Sequence, residues 1–286
     1  MPEFSTFNPP CLYVVATPIG NLGDMVPRAV EVLQSVDLIA AEDTRHSRRL
    51  MQHFSIDTPL QAYHDHSGNS QIEALVRRLQ GGESIALISD AGTPLISDPG
   101  YRLVDLAQSA GVKVVPIPGA SAVIAALSAA GLPSDRFVFE GFLSAKQQGR
   151  LSQLKALQQE SRTLIFYEAP HRILACLTDM AAVFGEDRQL VLARELTKTF
   201  ETIRRGCAGE IAAWVAADSN QQRGECVVLV RGADKELEDH SEGHRVFDLL
   251  AMELPLKQAA SLAAKITGTK KNALYQYGLE QQKQDR

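Results

Sequence analysis

Short apolar runs recur along this chain, and between them apolar residues return at the three- and four-residue spacing of a helix face. In the first half, Leu12–Ala16, Asp37–Ala41, Ile85–Ser89 and Val112–Pro116 read as strands. Met25–Val36, the stretch carrying Ile72, Leu75, Val76 and Leu79, and Tyr101–Ala110 read as helices. Gly81-Gly82 ends the second and Gly111 the third. In the second half, the strands are Phe137–Phe142, Thr163–Tyr167, Leu190–Arg194 and Cys226–Val230. The helices there are Arg150–Gln159, Pro170–Phe184 and Gly209–Ala217, with Pro170 suited to a first helical turn. Strands alternating with helices predict an α/β architecture with a largely parallel sheet.

The same pattern divides the chain. Residues 1–132 and 133–233 form two α/β domains. Residues 234–244 form an acidic linker, since Asp234 to Glu242 holds five acids and one lysine. Residues 245–286 are helical, with Leu256–Ile266, a turn at Gly268–Asn272 and Ala273–Leu279 resembling a helix-turn-helix. That tail carries seven Lys/Arg against four Asp/Glu. It reads as an RNA contact through Lys270 and Lys271, or as a helical cap or dimer arm.

Parallel strands place the loops that follow them on one sheet edge, where ligands of open α/β sheets bind. Here those loops are Thr17–Asn21, Glu42–Arg45, Asp90–Pro94 and Ile117–Ser121. The third continues into Ser89–Gly100, which packs two aspartates, two serines, a threonine, two glycines and two prolines between a strand and a helix. A plain connection is shorter and less polar. Small residues let a ligand approach the backbone, and Asp and Ser orient it.

Composition narrows the function classes. No apolar run is long enough to span a bilayer, and Met1–Pro10 lacks the pattern of a secretory signal, so a cytoplasmic protein is expected. Cys11, Cys176, Cys207 and Cys226 are scattered without metal spacing. His64-Asp65-His66 offers no third ligand, so no metal is expected. Phosphate-loop and dinucleotide fingerprints are absent, which sets aside a nucleotide-binding oxidoreductase. A net charge of −5 means that any nucleic-acid contact must be a local patch. On a helix, Arg45, Arg48 and Arg49 share one face, which fits either a phosphate grip or a solvated face. Lys146, Arg150, Lys155, Arg204 and Arg205 are further basic candidates.

The Ser89–Gly100 loop, Thr17–Asp24, Ala41–Arg45, Pro116–Ser121, Phe166–Arg172 and Ala193–Lys198 together resemble the tetrapyrrole methylase superfamily, in its ribosomal RNA branch. The resemblance implies two α/β domains with a cofactor cleft between them, and a homodimer. It implies S-adenosyl-L-methionine as cofactor and 2′-O-methylation of a cytidine ribose in the decoding region of small-subunit ribosomal RNA. The substrate would be that RNA or the assembled small subunit.

By the same resemblance, Ser89, Asp90, Ala91 and Thr93 hold the methionine part, with Ser121 and Ala122 beside it and Ile19 on the first loop. Tyr167, Ala193, Glu225 and Cys226 line the second-domain wall and the adenine slot, although Ala193 and Cys226 also read as simple core residues. A ribose hydroxyl needs its proton removed, so a general base is expected. Asp43, Glu168 and His171 are the candidates chosen from a set that also includes Glu42 and Glu195. Each has a structural alternative: Asp43 as a helix cap, Glu168 or Glu195 paired with Arg172 or Arg194. The rival functions are a porphyrin or corrin C-methyltransferase and a non-catalytic RNA-binding ribosome-assembly factor.

Overall fold

A computed structural model describes residues 10–64, 68–233 and 241–284. The chain forms two compact units, Met1–Gly232 and Ala233–Arg286. The first unit contains two five-stranded sheets.

The first sheet comprises β1 (Cys11–Val15), β2 (Leu38–Ala41), β3 (Leu60–Ala62), β4 (Ile85–Ile88) and β5 (Lys113–Ile117), in the order β3-β2-β4-β1-β5. Every pairing is parallel. Parallel strands need helices on both faces, which explains why β2 and β4 are buried along their whole length. Cys11, Tyr13 and Val15 face α1 (Pro27–Ser35) and α2 (Thr44–His53). Leu12 points the other way, toward α3 (Asn69–Gln80) and α4 (Tyr101–Ser109). Gly119, in the loop after β5, lies so close to the end of β1 that a Cβ there would meet the Ala16 Cβ at 2.9 Å.

A helix α5 (Ala122–Ala130) leads into the second sheet. It is apolar on nearly every side, so it lacks the periodic stripe that marks a helix in sequence. Its Val123, Ala126 and Leu127 pack on Ile165, Val191 and Val227, one face of the second sheet, with Ile19 in the same cluster. This shared core joins the two sheets into one unit.

The second sheet comprises β6 (Phe137–Phe142), β7 (Thr163–Glu168), β8 (Gln189–Arg194), β9 (Thr202–Cys207) and β10 (Cys226–Val230), in the order β6-β7-β10-β8-β9. The expectation of a largely parallel sheet fails here. Only β6 and β7 run parallel, because β10 inserts between β7 and β8 against both, and β9 folds back along β8. Strand direction leaves no trace in a hydrophobic pattern. The helices α6 (Gln147–Ala156), α7 (Ile173–Phe184) and α8 (Ala208–Ala217) cover the other face. Pro170–Arg172 forms a separate 3-10 turn ahead of α7.

Arg150 is not a surface cation. It is 4% exposed, and its Nε and Nη2 each reach Asp179 Oδ2 of α7 at 2.7 Å. Its candidacy for RNA contact is therefore withdrawn. Arg204 lies over the Trp214 ring and Arg205 donates to the Gly131 carbonyl, so both are engaged by their own unit.

The second unit is a three-helix bundle of α9 (Ser241–Ala251), α10 (Leu256–Thr267) and α11 (Lys271–Gln284) around Phe247, Ala259, Ala260, Ala263 and Leu274. Gly268 takes the left-handed conformation that ends α10, giving the expected helix-turn-helix. Lys270 and Lys271 are exposed at the start of α11. Residues 241–244, expected as linker, belong to α9. Residues 234–240, and Asp65 and His66 of the histidine pair, lie outside the described residues.

Candidate functional site

At the carboxyl edge of the first sheet the four expected loops meet and are stitched to one another. Thr17 and Gly92 exchange backbone hydrogen bonds at 2.9 and 3.0 Å. Gly92 can do so because it sits at φ +83, a conformation other residues adopt at a cost. The Asp43 amide donates to Asp90 Oδ1 at 3.0 Å, and the Asp90 amide donates to Glu42 Oε2 at 3.4 Å. Thr93 Oγ1 donates to the Ala120 carbonyl at 3.0 Å. Leu95 and Ser97 also take positive φ, so the Ser89–Gly100 loop is held in a shape it would not adopt alone.

These loops and the ends of β6, β7 and β10 enclose a cavity of about 400 Å³. Of the eleven cofactor candidates, nine line it: Ile19, Asp90, Ala91, Thr93, Ser121, Ala122, Tyr167, Glu225 and Cys226. Ser89 lies just behind the wall, where it hydrogen-bonds back into the loop. Ala193 is fully buried in the core beneath α5, in line with the core-packing alternative. Its sequence context could not separate the two roles.

Five carboxylates line the cavity: Glu42, Asp90, Asp98, Glu168 and Glu225. Among the described residues no lysine or arginine lines it. Glu225 accepts from Lys198 Nζ at 2.9 Å, and the same ammonium reaches Glu195, so Glu195 pairs with Lys198 and not with Arg194. Glu168 is 2% exposed, and its Oε1 accepts from the Ala169 amide and from Arg172. Its Oε2 makes no hydrogen bond among the described residues. Burial and this carboxylate push the neighbouring Cys176 thiol well above its ordinary value.

Asp43 and His171 stand outside the lining. Asp43 caps α2, accepting from the Arg45 amide at 2.8 Å and pairing with the Arg45 guanidinium. Those bonds pull its carboxyl down to about 2. His171 is exposed on the turn before α7, while Ala169 and Pro170 of that turn face the cavity. Arg48 and Arg49 are exposed on α2, and Arg45 is engaged by Asp43.

The group that sequence reasoning passed over is Asp98. It lies nine residues into the loop from Ser89, where nothing in its spacing marks it as facing inward. Burial pushes its carboxyl up to about 6, and the charges of Glu42 and Asp90 add to the rise against a hydrogen bond from Ser89. The folded protein thus holds this proton more tightly than an unfolded chain does. The stability from its neutral form is complete below the ordinary 3.8 and is lost as pH rises through about 6. Asp98→Asn is therefore expected to raise Tm at pH 8 and to leave it nearly unchanged at pH 4. A Tm no higher than that of the unaltered protein at pH 8 would show that Asp98 ionises without strain.

Residues 11–212 match the family model for tetrapyrrole (corrin/porphyrin) methylases, and residues 238–282 match the RsmI C-terminal HTH domain. The chain is 64% identical to ribosomal RNA small subunit methyltransferase I of Pseudomonas aeruginosa, over 95% of this chain and 97% of that protein. Against the protein of the same name in Escherichia coli O157:H7 the identity is 59%, over 95% of each. Among solved structures, the first unit's fold resembles diphthine synthase (TM-score 0.60, 15% identity, 77% of this chain and 89% of that one). It also resembles uroporphyrin-III-C-methyltransferase from Thermus thermophilus (TM-score 0.55, 17% identity, 77% and 94%).

Proposed function

The chain belongs to the tetrapyrrole methylase family, and we propose that within it this protein is an S-adenosyl-L-methionine-dependent methyltransferase of small-subunit ribosomal RNA, acting on a cytidine ribose 2′-oxygen. The observation that carries the reading is the near-full-length identity to ribosomal RNA methyltransferases, which includes the C-terminal helical unit. The cavity suits the cofactor. Its volume falls in the range of small-molecule sites, and an acidic wall without lining cations favours a ligand carrying sulfonium and ammonium charges. Ile19, Ala122, Leu196 and Val227 would offer apolar surface to the adenine, and Asp90–Thr93 would hold the methionine part. When bound, S-adenosylmethionine supplies an electrophilic methyl group.

The residues must then bring an acceptor oxygen into line and relieve it of its proton. Of the acids in the cavity, Asp98 is the strongest fit for the base: it faces the cavity, and its raised value makes it a better proton acceptor than an ordinary carboxylate. Asp98 must be ionised to act, so kcat is expected to fall as pH drops below about 6. A profile flat from pH 5 to 8 in the unaltered protein, with Asp98→Asn as active, would hand the role to Glu168. Burial lifts the Tyr167 hydroxyl to about 12, with Asp98 adding to the rise, so it stays protonated and cannot serve as the base.

The second unit and the exposed Arg48 and Arg49 of α2 supply cations for phosphate contact. A homodimer in the cytoplasm completes the reading; no helix among the described residues is long and apolar enough to cross a membrane. The deciding experiment is transfer of labelled methyl to small ribosomal subunits from a strain lacking the protein, followed by nuclease digestion and mass spectrometry. Label on one cytidine ribose is the expected result. Transfer only to a tetrapyrrole, or RNA affinity without any transfer, would replace the reading with one of its rivals.

A further inference from the structure

The strand β6 is irregular where it borders the cavity. Phe139 pairs with Ile165, but Gly141 pairs with Phe166 and Phe142 with Tyr167, so one extra residue is inserted between Phe139 and Gly141. In an unbroken strand, residues three apart face opposite sides. The bulge instead sets Phe139 and Phe142 on the side shared by Ile165 and Tyr167. Gly141 absorbs the distortion at φ +65. Bulges beside functional sites commonly re-aim a side chain in this manner.

The two phenylalanines flank Tyr167 edge to face, at centroid distances of 4.8 Å for Phe139 and 5.6 Å for Phe142. Their surroundings differ. Phe139 packs on the core beneath α5, whereas Phe142 lines the cavity and is 53% exposed. A large aromatic ring set by a backbone irregularity, braced by a tyrosine and lining a cavity is placed to meet a flat ligand that enters it.

On the reading proposed above, a ribose must enter this cavity, and its base loses the stacking of the RNA helix when it does. Every base has a π-face, so a braced aromatic ring at the entrance recovers part of that stacking. We propose that Phe142 is the stacking platform for the base of the acceptor nucleotide, aimed there by the β6 bulge. The inference rests on the ribosomal RNA reading. The competing occupant is the adenine of the cofactor, which would engage the same ring from inside the cavity.

The test uses the full chain with Phe142→Leu and Phe142→Trp. Cofactor affinity is measured by calorimetry, and methyl transfer on small subunits lacking the modification. Phe142→Leu is expected to lower kcat/KM for subunits about 10- to 100-fold while the S-adenosylmethionine Kd stays within about twofold. Phe142→Trp is expected to restore most of the loss. Cofactor binding weakened as much as kcat/KM would give the ring to the adenine and overturn the proposal. So would an unchanged kcat/KM in Phe142→Leu, or no rescue by tryptophan. An unaltered protein that methylates no subunit would overturn the ribosomal RNA reading itself, and this inference with it.

Discussion

Replacing Asp90 by asparagine is expected to weaken S-adenosylmethionine binding about 10- to 150-fold and to reduce methyl transfer at least as much, with little change in Tm. The magnitude follows from hydrogen bonds to charged groups, which contribute about 1.5–3 kcal/mol, and from the tenfold change in affinity per 1.4 kcal/mol. Asparagine is the informative substitution because it retains Oδ1. That atom accepts from the Asp43 amide at 3.0 Å and ties the loop after β4 to the loop after β2. Asp90→Ala would remove both the tether and the charge, and its loss could not be assigned. Calorimetry with S-adenosylmethionine and with S-adenosylhomocysteine separates the possible partners of the charge. A larger loss for the sulfonium compound places the carboxylate against the sulfur, and equal losses place it against the ammonium they share. Unchanged affinity for both would remove Asp90 from the cofactor site.

The sequence made this loop legible for a physical reason. A parallel sheet puts the ends of its strands on one edge, so four strand assignments were enough to bring Thr17–Asn21, Glu42–Arg45, Asp90–Pro94 and Ile117–Ser121 together. What stayed hidden had no one-dimensional signature. The helix α5 is apolar on nearly all sides, on the face that carries the exposed Ile124 and Ala129 as well as on the buried one, so no stripe marks it. β9 carries Arg204-Arg205 on the outer strand of its sheet, and those charges read as a surface cluster, not as a strand. Asp98 lines the cavity from a loop whose Leu95 and Ser97 take positive φ, a conformation that spacing does not reveal. Asp43, chosen for its place after a strand, proves to be the N-cap of α2, the alternative that its spacing before Thr44 also allowed. Glu168 does pair with Arg172, as one alternative held, yet it also lines the cavity. A residue can hold both positions, and a linear pattern has no means of showing it.

Arg150 shows how far a charge can sit from the role its residue type suggests. Arg150→Met is expected to destabilise the first unit by about 3–5 kcal/mol, the cost of leaving one member of a buried ion pair alone. For a unit of this size that is a fall in Tm of about 6–20 °C. The guanidinium is 4% exposed; besides Asp179 it reaches the Ser144 and Ala145 carbonyls at 3.4 and 3.5 Å, so it fastens the β6–α6 loop and α6 to α7. Methionine fills similar space but leaves Asp179 with only the Gln147 amide, which donates at 3.0 Å. Arg150→Met with Asp179→Leu should recover most of the loss, since an apolar pair avoids the desolvation that the ion pair must offset. Thermal unfolding of the unaltered protein and the two variants decides the matter. A single variant as stable as the unaltered protein, but defective on ribosomal subunits, would return Arg150 to the RNA surface. The burial of both side chains argues for the opposite outcome: a protein that unfolds early yet binds cofactor normally while folded.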